Sequence, residues 1–134
     1  MKIKICSRKT VERLLQGQFP ENTAVISFYD PDGKTSVDYS GKTDNVLFVP
    51  LDDLQTELPE AEKIARFIND AKANGLNIIC QCESGQSRSA GCAAAILEHY
   101  YHTGQSVFDN DWYRPDEMVY YSVLDALKGK NYSQ

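Results

Sequence analysis

Residues 76–92 read Leu76-Asn77-Ile78-Ile79-Cys80-Gln81-Cys82-Glu83-Ser84-Gly85-Gln86-Ser87-Arg88-Ser89-Ala90-Gly91-Cys92. The stretch changes character twice. Leu76 to Cys82 is rich in apolar residues, the composition of a strand in a buried sheet. Glu83 to Ser87 is short and polar, with Gly85 inside it, and reads as a loop. From about Ser87 to Thr103 a long helix is expected, with Ala90, Ala93, Ala94, Ile96, Leu97 and Tyr100 as its apolar side and Gly104 ending it. A thiol therefore stands at the carboxyl end of a strand, and an arginine in the first turn of the helix that follows.

That arrangement suits an oxyanion. Backbone N–H groups of a tight loop curl around a tetrahedral anion, and the helix N-terminus adds its positive end. Gly85 allows a positive φ within the curl. Arg88 offers a planar fork for two oxygens. A helix N-terminus and a guanidinium also favour the thiolate form of a neighbouring cysteine, the form that acts as a nucleophile. Ser89 is placed to donate its hydroxyl to the sulfur. The combination of Cys82, Gly85, Arg88 and Ser89 at these spacings is expected by chance only about 0.001 times in a chain of this composition.

Outward from this segment, strands and helices alternate. Lys2–Cys6 reads as a short strand. Ser7 is a plausible N-cap for a helix carrying Val11, Leu14 and Leu15 and ending near Gly17. Thr23–Tyr29 and Val46–Val49 are buried strands, the second stopped by Pro50. Asp30-Pro31-Asp32-Gly33 is turn chemistry, and Lys34–Asn45 has few apolar anchors, so it reads as a loop or minor hairpin. Ala61, Ile64, Phe67, Ile68 and Ala71 mark a helix closed by Asn74-Gly75. Phe108–Pro115 is a loop before a final helix over about Asp116–Lys128, and the tail from Gly129 is polar. The expected fold is α/β: a single domain over 1–134, with a mostly parallel central sheet of about four strands and helices on both faces. In such sheets ligands bind beyond the carboxyl ends of the strands. The loop after Cys82 and the loop holding Asp52 and Asp53 both lie at such ends.

The 134-residue length and an apolar fraction of 42% allow one domain with a real core. A formal charge of -5 disfavours non-specific nucleic-acid binding. No apolar run suits a membrane span, and Met1–Cys6 carries no apolar core of a secretory signal. The four cysteines at 6, 80, 82 and 92 lack the paired spacing of a zinc site, so reduced thiols in a cytoplasmic setting are expected. Cys80, Cys92 and Cys6 read as packing residues. His99 and His102 lack a third partner for a metal.

The segment Cys82-x5-Arg88-Ser89, with Gly85 in place, resembles the signature loop of cysteine-dependent protein tyrosine phosphatases (the CX5R motif), most of all the small dual-specificity branch with its short bacterial and phage forms. Val49-Pro50-Leu51-Asp52-Asp53 is similar to the family segment that carries the general acid. Phe67-Ile68 fits the helix before the motif, and Arg114-Pro115-Asp116 resembles a family Arg-Pro-Asn segment. The likeness spans roughly residues 46–128. It implies a phosphomonoester hydrolase with Cys82 as nucleophile and Arg88 and the 83–88 amides (Glu83, Ser84, Gly85, Gln86, Ser87, Arg88) as the phosphate cradle. Ser89 assists the sulfur, Asp53 is the general acid and base, and Asp52 is the alternative acid. No metal or cofactor is implied. The implied partner is a phosphorylated protein or peptide as substrate of a monomer, with neither nucleic acid nor membrane.

Two departures stand out. Gln81 occupies the position where the family usually has His, and Asp116 one where Asn is common. The loop has no lysine, and Glu83 adds a negative charge, which argues against a phosphoinositide headgroup. Other readings of the same loop are a phosphatase for a small-molecule, phosphoinositide or RNA 5′-phosphate substrate, a rhodanese-type sulfurtransferase, and a phosphate-binding pseudophosphatase.

Overall fold

Successive side chains of a strand point to opposite faces, and here both faces are covered. The computed structural model describes residues 1–52 and 54–129; Asp53 lies outside the described residues. The elements are β1 (Ile3–Ser7), α1 (Arg8–Gln16), β2 (Thr23–Tyr29), β3 (Val46–Pro50), α2 (Ala61–Ala73), β4 (Asn77–Cys82), α3 (Arg88–Tyr101), α4 (Gln105–Phe108) and α5 (Glu117–Leu127). The sheet order is β1-β4-β2-β3, and every pairing is parallel. Ala24, Ile26 and Phe28 of β2 and Ile78, Cys80 and Cys82 of β4 join α2, α3 and α5 in the larger core. Val25, Ile79 and Cys6 face the other way, against Val11 of α1 and the buried Val37 and Tyr39.

The expected fold class is therefore met: four strands, all parallel, with helices on both faces. Adjacent strands β1 and β4 send their helices to opposite faces, because α1 packs in the smaller core and α3 in the larger. Such a reversal opens a crevice at the carboxyl ends of the two strands. The loop after Cys82 sits there.

The β2–β3 connection has no helix, as its polar composition led one to expect, although the sheet is parallel; residues 30–45 cross over as irregular chain anchored by Val37 and Tyr39. Those two anchors lie in a polar setting, so composition hid them. The helix after the motif loop ends at Tyr101, with His102 left-handed at φ 58, instead of running to Thr103. Gly104 then opens the four-residue α4, which is too short for a periodic pattern to reveal. Gly104 is required for a packing reason: a Cβ there would lie 2.5 Å from the carbonyl oxygen of Ala94. Among the described residues no helix is long and apolar enough to cross a membrane.

Gly104→Ala is expected to lower folding stability by about 1–3 kcal/mol, because backbone must move to admit the methyl group. Urea denaturation of the variant checks this.

Candidate active site

Four parallel strands end at one edge, and each delivers a group to the same place. β4 delivers the 83–87 loop. β1 ends at Ser7, followed by Arg8. β2 is followed by Asp30, and β3 by Leu51 and Asp52. A cavity of about 290 Å³ at this edge is lined by Asp30, Glu83, Ser84, Ser87, Arg88 and Asp116. Ser87 and Arg88 bring the N-terminus of the 14-residue α3 to the cavity, so its positive end faces any anion held there.

The loop is seated by contacts that only particular residues allow. Gly85 has φ +71, and a Cβ on it would lie 2.6 Å from the Ser7 backbone nitrogen. The loop therefore rests directly on the β1–α1 junction. Arg8 grips it from that junction: Nε donates to Glu83 Oε2 at 2.6 Å and Nη2 to Oε1 at 3.1 Å. The Arg8 amide also donates to the Glu83 carbonyl at 3.2 Å. From the opposite side, Arg114 N donates to Gln86 O at 2.8 Å and Asp116 N to Ser87 O at 3.0 Å. Asp116 also caps α5, its side chain accepting from Val119 N. The Arg114-Pro115-Asp116 segment thus buttresses the loop, and Asp116 lines the cavity.

Cys82 is 1% exposed beneath the loop and is not among the described lining residues. Its Sγ lies 3.1 Å from Ser89 Oγ. Arg88 is 4% exposed. Its Nη1 donates to Asp30 Oδ1 at 2.9 Å and to the Leu51 carbonyl at 2.5 Å. Gln86 turns outward, its Nε2 donating to Trp112 O at 3.3 Å. Asp52 is exposed, and its Oδ1 accepts from Leu54 N at 2.8 Å, a local turn bond. Asp53, the expected acid, lies outside the described residues.

Gln81 points away from Cys82, into the smaller core. It is fully buried, and Ser27 Oγ donates to its Oε1. The Tyr39 hydroxyl lies 3.2 Å from both Ser27 Oγ and Gln81 Oε1. Gln81 Nε2 has no hydrogen-bond partner among the described residues, which makes this a costly way to fill a buried position. Burial, foremost, pushes the Tyr39 phenol up to about 12. The Cys80 thiol is held well above its ordinary range, first by hydrogen bonding to Cys92 and then by burial. Cys80 is thus a neutral packing group.

Of the residues expected at the site, Cys82, Glu83, Ser84, Gly85, Gln86, Ser87, Arg88 and Ser89 form one unit around the strand–loop–helix. Arg8 and Asp30 were not anticipated. Arg8 was hidden in a helix start and Asp30 in a turn. The available signal was position, since each directly follows a parallel strand.

The geometry has counterparts. Residues 39–120, more than half of the chain, match the family model described as the Rit1 DUSP-like domain. No curated protein matches the chain in sequence. Among solved structures, PTPMT1 in complex with PI(5)P is similar at 15% identity and a TM-score of 0.64, covering 96% of this chain and 92% of that one. Tk-PTP in its active form is similar at 14% identity and a TM-score of 0.63, covering 98% and 94%. Human DUSP28 is similar at 13% identity and a TM-score of 0.63, covering 95% and 92%. These likenesses show a shared fold, that of cysteine-dependent tyrosine and dual-specificity phosphatases, as the motif loop led one to expect.

Two outcomes are expected. Gly85→Ala combines a strained φ with a backbone clash, so it should unseat the loop and weaken vanadate binding by at least about tenfold, or 1.4 kcal/mol, as read by calorimetry. Tyr39 carries a folded value of about 12 against an ordinary 10.0. Its contribution is complete below pH about 10 and is lost as pH rises toward 12, by roughly 2–3 kcal/mol at about 1.4 kcal/mol per unit. Denaturation midpoints between pH 9 and 12 should fall more steeply for the wild type than for Tyr39→Phe.

Proposed function

The chain belongs to the Rit1 DUSP-like domain family, and from that premise we propose that it is a metal-independent phosphoric monoester hydrolase acting through a cysteinyl-phosphate. The observation that carries this reading is the unit at the end of β4. Cys82 Sγ is 3.1 Å from Ser89 Oγ, beneath a loop that ends in the buried Arg88 at the cavity.

In the proposed first step the Cys82 thiolate attacks phosphorus in line. An S–P bond forms as the P–O bond to the leaving group breaks. Arg88, the loop amides and the α3 N-terminus stabilise the charge spread over the phosphoryl oxygens. Asp53 gives its proton to the leaving oxygen. In the second step Asp53 takes a proton from water, the hydroxide attacks phosphorus, and the S–P bond breaks to release inorganic phosphate and the thiolate. The Ser89 hydroxyl donates to the sulfur as it leaves. Asp53 takes the acid role by its likeness to the family segment, and Asp52 is disfavoured by its bond to Leu54 N.

The substrate class we favour is a phosphorylated protein or peptide, bound by a monomer in the cytoplasm without cofactor, nucleic acid or membrane. The described cavity lining supports this in part: Arg88 is joined there by no second arginine or lysine, which suits one phosphate better than several. The related PTPMT1 is seen with PI(5)P, so phosphoinositides belong in any substrate panel. A second reading is a phosphate-binding pseudophosphatase, favoured by Gln81 standing where the resembled family usually has His.

Hydrolysis of p-nitrophenyl phosphate in the presence of a chelator, inhibited by vanadate and abolished in Cys82→Ser, is the expected result. Vanadate binding without turnover would establish the pseudophosphatase instead. Asp53→Asn should slow turnover by roughly 10²–10⁴-fold, the usual worth of general acid catalysis, and by far more than Asp52→Asn. The reverse order would move the acid to Asp52.

A further inference from the structure

Resting on the phosphatase reading, we propose that Asp30 is a positioning residue: its carboxylate holds the Arg88 guanidinium in the plane that receives the phosphoryl oxygens.

The case begins with how Asp30 is held. It directly follows β2 and precedes Pro31, which biases it toward extended backbone. Its carbonyl accepts from Gly33 N at 2.8 Å, closing the turn. Its own N–H donates to Thr35 Oγ1 at 2.7 Å. Both main-chain groups are thus pinned by residues 33–35. Among the described residues, its carboxylate makes no bond to that turn. It reaches instead across 58 residues of sequence to Arg88 Nη1, at 2.9 Å. An ordinary turn residue would not need this; Asn or Ser would serve the turn as well.

The second half of the case is the guanidinium. Arg88 has a side chain only 5% exposed, against 34% for Asp30. Nη1 is held from two directions, by Asp30 Oδ1 and by the Leu51 carbonyl. Two acceptors on one nitrogen of a rigid planar group fix the orientation of the whole plane. The two acceptors directly follow strands β2 and β3, so the plane is set by the carboxyl edge of the sheet. Asp30 and Arg88 both line the cavity, so the plane is fixed where the anion would bind. A pre-set fork loses little freedom when the anion arrives, and small misplacements of such groups are costly in rate.

Asp30 also brings a negative charge to an anion site, which by itself weakens binding. The two effects separate cleanly. Asp30→Asn removes the charge and keeps an acceptor oxygen for Arg88. Asp30→Ala removes both. Asp30→Ser suits the turn but is too short to reach Arg88, and it stands in if the alanine variant melts early.

Tungstate binding by calorimetry is measured for the wild type and these variants, alongside kcat and KM for p-nitrophenyl phosphate. Asp30→Asn should bind tungstate within about threefold of the wild type. Asp30→Ala and Asp30→Ser should bind about tenfold more weakly than Asp30→Asn, the loss that follows when a charge-assisted hydrogen bond of about 1.4 kcal/mol stops orienting its donor. The loss in kcat should exceed the change in KM, because the fork is used most in the transition state. Equal tungstate affinity in Asp30→Asn, Asp30→Ala and Asp30→Ser would overturn the tether. A wild-type chain that binds tungstate without turnover sinks the hydrolase reading, while the order of the variants still decides on Asp30. A wild-type chain that binds no tungstate overturns both.

Discussion

A guanidinium taken almost wholly out of water has to be matched by acceptors, because an unpaired buried charge costs several kcal/mol. Arg88 meets that demand with the Asp30 carboxylate and the Leu51 carbonyl. Both acceptors exist only because β2 and β3 run parallel to β4 and end at the same edge. The pairing therefore makes the sheet and the cavity one object. The helix that carries Arg88 also carries Ala93, Ala95 and Ile96 into the larger core, so the charge is anchored at its base by apolar packing and at its tip by two strand ends.

The loop over Cys82 is held by close approaches that exclude side chains. Gly85 lies on the Ser7 backbone, and Gly91 faces Asp116, whose carbonyl would be 2.5 Å from a Cβ there. Arg8 clamps Glu83 from one side, and the 114–116 segment binds the carbonyls of Gln86 and Ser87 from the other. A loop supported from both sides keeps its shape without a metal or disulfide. The chain's net charge of -5 describes its surface. At the cavity, the buried Arg88 and the α3 N-terminus supply local positive charge. An anion pocket inside an acidic protein is a matter of local geometry.

Much of this was legible beforehand. The strands at 23–29 and 77–82 are mostly apolar, and such runs have few alternatives to burial on both faces. The helices at 8–16 and 61–73 carried caps or periodic apolar residues. Cys82, Gly85 and Arg88 were legible because their spacing is local, within one strand–loop–helix. The four-residue α4 and the left-handed His102 were not, since neither has a period to detect. Val37 and Tyr39 escaped notice because two apolar residues in a polar stretch gain meaning only when a sheet face lies beneath them.

By itself, then, the sequence determined the α/β class, the strand–loop–helix at Cys82 and the residue types needed to hold an oxyanion. These rest on neighbours a few residues apart, whose preferences are set by backbone sterics and periodic burial. Only the tertiary structure decided the order β1-β4-β2-β3, and with it which distant residues meet at the carboxyl edge. Asp30 meets Arg88, Arg8 meets Glu83, and Gln81 is turned into a buried cluster with Ser27 and Tyr39. Each of those pairings spans dozens of residues. Contacts of that kind depend on register between strands, which no local pattern encodes.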